Sequence, residues 1–159
     1  MKNILTRSYG LFLLLLFVYT ATSKVLNNDT FVFQMHLAPV PLMKVLSPFL
    51  GWSIPLIEFA ITIALALGFF NPAINIKAFQ ASVSLLTVFE MYIAAMLLSG
   101  SQLPCTCGGI ISMMGWKQHL IFNGVLIVFG VISIIYLKKK SMPFVKTSTN
   151  DHDKILSRA

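Results

Sequence analysis

Trp52–Phe70 reads WSIPLIEFAITIALALGFF, nineteen residues with a single charge, Glu58, and the pair Asn71-Pro72 directly after it. A helix needs about 20 predominantly apolar residues to cross the hydrocarbon core of a bilayer. Asn-Pro is a strong stop for a helix, so the stretch predicts one membrane span with a defined end. Three further runs have the same character: Ile4–Thr22 around GLFLLLLFVY, Ala78–Ser99, and His119–Leu137. Ser99-Gly100-Ser101 ends the third run and Lys138-Lys139-Lys140 the fourth. The expected fold is an all-α membrane protein, a four-transmembrane-helix bundle over residues 1–137. Residues 138–159 form a basic tail, read as cytoplasmic and flexible.

Composition excludes the main alternatives. Only 11% of the residues are charged, against about 25% in a soluble domain. At 57% hydrophobic residues, the chain is too apolar for disorder. Two cysteines are too few for a disulfide-stapled scaffold. The net charge of +7 does not form a nucleic-acid-binding stripe, because half of the basic residues lie after the last span.

The placement of the basic residues sets the orientation. Lys2, Arg7, Lys77, Lys138, Lys139, Lys140, Lys146, Lys154 and Arg158 fall on one side, and Lys24, Lys44 and Lys117 on the other. The positive-inside rule puts both termini in the cytoplasm. The outer segments are then Lys24–Gly51 and Gly100–Gln118. A competing reading takes Lys2, Arg7, the first apolar run and Ala21-Thr22-Ser23 as a cleavable signal peptide; it leaves the second outer segment outside. The first outer segment, with apolar Phe31, Met35 and Leu42 broken by Pro39, Pro41 and Pro48, is expected to lie on the interface between the first and second spans.

Both cysteines stand in the second outer segment, in Pro104-Cys105-Thr106-Cys107-Gly108-Gly109. An oxidising compartment permits a disulfide there. A staple joining residues two apart stabilises little, because stabilisation grows with loop length, whereas a small strained ring is more easily reduced. Pro and Gly suit the tight turn. The pair reads as a thiol–disulfide exchange couple, as a static staple, or as soft metal ligands with Met113, Met114 and His119. Structural zinc needs four ligands, and two Cys with one His fall short.

Polar residues inside the spans are the other candidates. Trp116, His119 and Asn123 are spaced i, i+3, i+7 and share one helix face. His119 near the thiols can lower a cysteine pKa or take a proton; the bland alternative is a hydrogen bond between helices. Glu58 and Glu90 place carboxylates at bilayer depth, at about 2.5–3.5 kcal/mol on the milder insertion scale. Such groups face the bundle, either marking a site or pairing with a neighbouring helix. Glu58, His119 and Asn123 are expected to converge in the outer half of the bundle.

Ser23-Lys24-Val25-Leu26 with Phe31, Ile54-Pro55-Leu56-Ile57-Glu58, the Cys105-x-Cys107-Gly108-Gly109 loop, and Trp116-x-x-His119-Leu120-x-Phe122-Asn123 together resemble the DoxX-like, MauE-type membrane proteins, and among them the MauE-like proteins of Bacteroidetes. The resemblance covers about Leu11 to Leu137. It implies a four-helix membrane bundle assisting maturation of a disulfide-rich periplasmic client, as in methylamine utilisation. Through the DoxX relatives it implies a link to quinone-dependent oxidation. Better-known disulfide-generating membrane proteins carry a second cysteine pair, which this chain lacks, so its electrons would pass directly to a quinone or to another protein. The expected function is support of periplasmic thiol–disulfide chemistry. Cys105 and Cys107 would cycle, and His119 and Glu58 would move protons or hold a quinone head group. The partner would be a thioredoxin-like protein or a maturing client. The rival classes are a non-enzymatic assembly factor or chaperone, and a small-molecule or metal transporter built on Glu58 and Glu90.

Overall fold

A computed structural model describes the backbone of residues 2–38, 42–99 and 115–156, and the side chains of these except residues 2, 3, 116 and 140–156. Five helices and no strand occur among the described residues: α1 (Lys2–Leu26), α2 (Asn28–Leu37), α3 (Met43–Gly68), α4 (Pro72–Leu98) and α5 (Trp116–Leu156). Four carry segments long and apolar enough to cross a bilayer: Ile4–Leu26, Met43–Gly68, Pro72–Leu98 and Lys117–Lys139. The protein is a multi-pass membrane protein.

Each spanning helix buries one stripe at helical spacing. On α1 the stripe is Thr6, Gly10, Leu13, Phe17, Ala21 and Lys24. On α3 it is Ser47, Gly51, Pro55, Glu58, Ile61, Leu65 and Gly68. On α5 it is His119, Asn123, Leu126, Gly130 and Ser133. These stripes carry much of the chain's polar content, while the opposite faces expose Leu11, Phe12, Leu15, Leu56, Ile63, Val128 and Ile132. A water-soluble bundle has the reverse arrangement. In lipid the apolar outer faces meet hydrocarbon, and the polar groups find partners only inside.

The packing order is α1 on α3, α3 on α4 and α4 on α5, with α2 laid on α3. A core of Leu13, Phe17, Ile61, Leu65, Phe79 and Leu126 fills the centre. Tyr9 closes the bundle between its first and last spans. Its hydroxyl donates to the Leu126 carbonyl at 2.5 Å, and its ring stacks on Phe79 with centroids 5.8 Å apart. The α3–α4 connection is tight. The Asn71 side chain accepts from the Ala73 N–H at 3.0 Å, Pro72 opens the helix, and a Cβ on Gly68 would sit 2.9 Å from the Asn75 Cα.

The second span differs from its sequence reading. It begins at Met43, not Trp52, and Pro48 lies inside α3 instead of breaking the segment before it. Pro48 removes one intrahelical donor near the helix start. Its ring is exposed, and membrane helices tolerate such a proline when neighbours take up the freed groups. Pro55, further along α3, leaves the Gly51 carbonyl without its intrahelical donor, and α2 supplies one. The Asn28 amide donates to the Gly51 carbonyl at 2.8 Å, and a Cβ on Gly51 would lie 2.3 Å from a Val32 methyl. The segment between the first two spans is thus a helix seated against the first half of α3. The last helix also runs further than the apolar pattern, continuing to Leu156 past the lysine run.

One packing prediction arises at the α4–α5 seam. A Cβ on Gly130 would lie 2.4 Å from Val83 Cγ2 and 3.2 Å from the Tyr9 hydroxyl. Val83 is β-branched and nearly fixed in rotamer on a helix, so the helices must separate. Gly130→Ala is expected to destabilise by about 1–3 kcal/mol. Thermal unfolding in detergent reads this as a lower midpoint; an unchanged midpoint would show that the seam yields freely.

Candidate functional site

Lys24 in the last turn of α1 points into the bundle and meets Glu58 on α3. Its Nζ donates to Glu58 Oε1 at 2.5 Å, and the two side chains are 4% and 1% exposed. The ammonium also lies 5.1 Å from the Phe89 ring centroid on α4 and 5.8 Å from that of Phe31 on α2. Both separations fall within cation–π range. One side chain therefore ties four helices together. A charge in this setting is tolerated only because it is paired.

The ion pair sits on the wall of a cavity of about 470 Å³. Thr20, His119 and Asn123 line the same space. His119 and Asn123 come from α5 and are 6% and 4% exposed. Most of the remaining wall is apolar and soft, with Phe17, Phe89, Phe122, Met35 and Met96 among its residues. Four buried side-chain polar atoms among the described residues have no protein partner: Ser47 Oγ, Glu90 Oε2, Glu58 Oε2 and His119 Nδ1. Unpaired buried polar atoms are rare in native proteins, and the last two belong to residues that line this cavity. A mainly apolar hollow with a few convergent polar groups is the usual form of a small-molecule site.

The structure thus places Glu58, His119 and Asn123 on one cavity. It does not bring Glu90 there. Glu90 is half-buried at the α4–α5 seam, with its Oε1 3.6 Å from where a Cβ on Gly124 would stand, and it is not among the cavity-lining residues. Cys105 and Cys107 lie outside the described residues, as do Met113, Met114 and the Trp116 side chain; the Trp116 backbone begins α5.

Lys24 is the residue that sequence reasoning missed. The sequence counts it only among the outer-side charges, and the structure buries it. The available signal was the pairing requirement itself. Glu58 needs a cation, and Lys24 closes the neighbouring span at its outer end. Phe31 and Phe89, which flank the ammonium, carried no such signal.

Residues 2–136 match the family described as Methylamine utilisation protein MauE. The chain belongs to the MauE family. The match runs from the start of α1 into the last turns of the apolar part of α5, so it takes in all four spans, the Lys24–Glu58 pair and the His119–Asn123 face. No curated protein and no solved structure matches the chain. For this MauE-family chain, the cavity and its polar wall are the places where chemistry can be located among the described residues.

Proposed function

We propose that the protein is an inner-membrane component supporting periplasmic thiol–disulfide chemistry, in the maturation of a disulfide-containing client of the kind the family's methylamine-utilisation name suggests. One observation carries the reading. Met96 on α4 and His119 on α5 both line the cavity, and the chain joining these two helices contains both cysteines. Along the chain, Cys105 stands nine residues after Met96 and Cys107 twelve before His119. Lys24 belongs to the bundle, so the outer side retains only Lys44 and Lys117 as free basic residues of the original count. That supports the reading in which both termini are cytoplasmic.

The chemistry balances as two exchanges. A client dithiol attacks the Cys105–Cys107 disulfide through a mixed disulfide, leaving the client oxidised and the pair reduced. The pair is then reoxidised by handing two electrons and two protons to an acceptor, a membrane quinone or a partner protein. His119, with one ring nitrogen unpartnered, is the group placed to accept or return a proton. A transporter built on two carboxylates has less support, since Glu90 does not reach the cavity that Glu58 lines.

Single-cysteine variants test the reading. Cys105→Ser or Cys107→Ser is expected to trap a mixed disulfide, seen as a reductant-sensitive band after acid quenching and alkylation. Full client oxidation in both variants would favour a non-enzymatic assembly factor. The orientation has its own measurement. A membrane-impermeant thiol reagent is expected to label the reduced pair in cells with a permeabilised outer membrane and an intact inner one. Labelling only after inner-membrane rupture would reverse the topology.

A further inference from the structure

Lys77, Gln80, Ser84, Thr87 and Met91 follow one another on α4 at spacings of 3, 4, 3 and 4, and all five are exposed. They form the outward face of a helix that crosses the membrane from Pro72 to Leu98. The middle of this 27-residue span falls at Leu85, between Ser84 and Thr87. At 1.5 Å per residue, Gln80 stands only about 8 Å from that middle, inside a hydrocarbon half-thickness of about 15 Å.

The outward faces of the neighbouring spans are built differently. α3 presents Phe49, Trp52, Leu56 and Ile63, and α5 presents Ile121, Val125, Val128 and Ile132. Lipid suits those side chains. It does not suit Gln80, whose amide carries both donors and acceptors. The Thr87 hydroxyl donates to the Val83 carbonyl at 2.8 Å, but neither Gln80 nor Ser84 makes a side-chain hydrogen bond among the described residues. An unmet amide in hydrocarbon is costly, and polar side chains within spans bond across to another helix.

Three properties of the stripe specify that helix. Its 3–4 spacing is the seam of a left-handed helix pair. Ser84 and Thr87 are small, which lets two backbones approach closely. The third property is symmetry. Two copies of one chain share one topology, so a twofold axis relating them runs along the membrane normal, and each seam residue meets its own equivalent at the same depth. Gln80 then faces the partner's Gln80. A carboxamide is its own complement, since the N–H of one donates to the carbonyl of the other. A foreign helix needs a matching group at this depth, whereas a second copy has one by symmetry. A single polar residue in an otherwise small and apolar seam also fixes register.

We infer that α4 pairs with α4 of a second copy of this chain along Gln80, Ser84, Thr87 and Met91, with the two Gln80 amides hydrogen-bonded across the twofold axis. The inference goes beyond the thiol–disulfide reading and does not depend on it. Phe89, Ile93 and Met96, which α4 supplies to the cavity wall, lie on the opposite side of the helix from the seam. Pairing therefore leaves each protomer its own cavity.

Crosslinking of the full-length chain in native membranes tests the seam. Ser84→Cys on a Cys105→Ser, Cys107→Ser background carries one thiol at the axis, and oxidation by copper-phenanthroline is expected to give a disulfide-linked dimer. Val128→Cys on the same background, on the outward face of α5, is expected to give far less. Strength is read by energy transfer between fluorescently tagged copies in vesicles at increasing lipid dilution. Gln80→Leu is expected to raise the dissociation constant about threefold to tenfold, the effect of one interhelical hydrogen bond in a membrane. Gln80→Asn keeps an amide and is expected to lose less. At high dilution, where copies are apart, Gln80→Leu is expected to keep the wild-type thermal midpoint. A lower midpoint there would place Gln80 in the packing of the single chain and overturn the inference. A monomer at every dilution, equal crosslinking from α4 and α5, or an unchanged dissociation constant in Gln80→Leu would overturn it as well.

Discussion

Lys24→Met is expected to destabilise the bundle by about 3–5 kcal/mol, the range for breaking a buried ion pair from one side. The Glu58 side chain is 1% exposed, so the variant leaves a buried carboxylate with no cation opposite it. Glu58 sits mid-helix on a short side chain and cannot reach the interface. The reverse change, Glu58→Met, is expected to cost less. Lys24 stands in the last turn of α1, and its long stem can turn outward to the head-group region. The double variant, Lys24→Met with Glu58→Met, is expected to return to within about 1 kcal/mol of the wild type, since a well-packed apolar pair of similar volume replaces a buried ion pair at little cost. Thermal unfolding in detergent reads all three. Single variants as stable as the wild type would show that the pair is not buried in the membrane-embedded protein. The double variant is expected to fold and yet fail in client oxidation, which separates a role in function from a role in folding.

The second large effect is at the thiols and at the His119 imidazole. Loss of either sulfur is expected to bring client oxidation to background, because no disulfide can form in the pair. His119→Ala is expected to slow reoxidation by about 10²-fold or more, the lower end for removing a positioned acid–base group, while leaving both cysteines present. Glu90→Gln is expected to leave the rate nearly unchanged, since Glu90 lies on another seam. Stopped turnover in a defined lipid mixture, followed by alkylation, gives all four rates. Equal losses in Glu90→Gln and Glu58→Gln, with full activity in the cysteine variants, would instead favour transport.

The spans were legible in the sequence because bilayer thickness fixes their length and lipid fixes their composition. The His119–Asn123 face was legible from its spacing, and Glu58 from the cost of its depth. Lys24 was not, because a lysine at the end of a span reads first as an interfacial charge, and only the neighbouring helix shows that it turns inward. The early start of α3 was hidden by Pro48, which reads as a breaker between elements and lies within the first turns of the helix. Depth favoured Glu58 over Glu90 only because it lies nearer the outer end of its span. Helix packing distinguishes them, since one faces the central cavity and the other the α4–α5 seam. The extension of α5 to Leu156 lacks an apolar stripe and left no periodic signal.

The central claim is that Cys105 and Cys107 form an exchangeable couple rather than a fixed bridge. The most direct measurement is a redox titration of the purified protein, scored by mass-tag alkylation of the two thiols. A single two-electron transition is expected at a potential above about −300 mV, the level below which structural disulfides typically lie. A pair that titrates well below that level, or that stays reduced under periplasmic oxidising conditions, would contradict it.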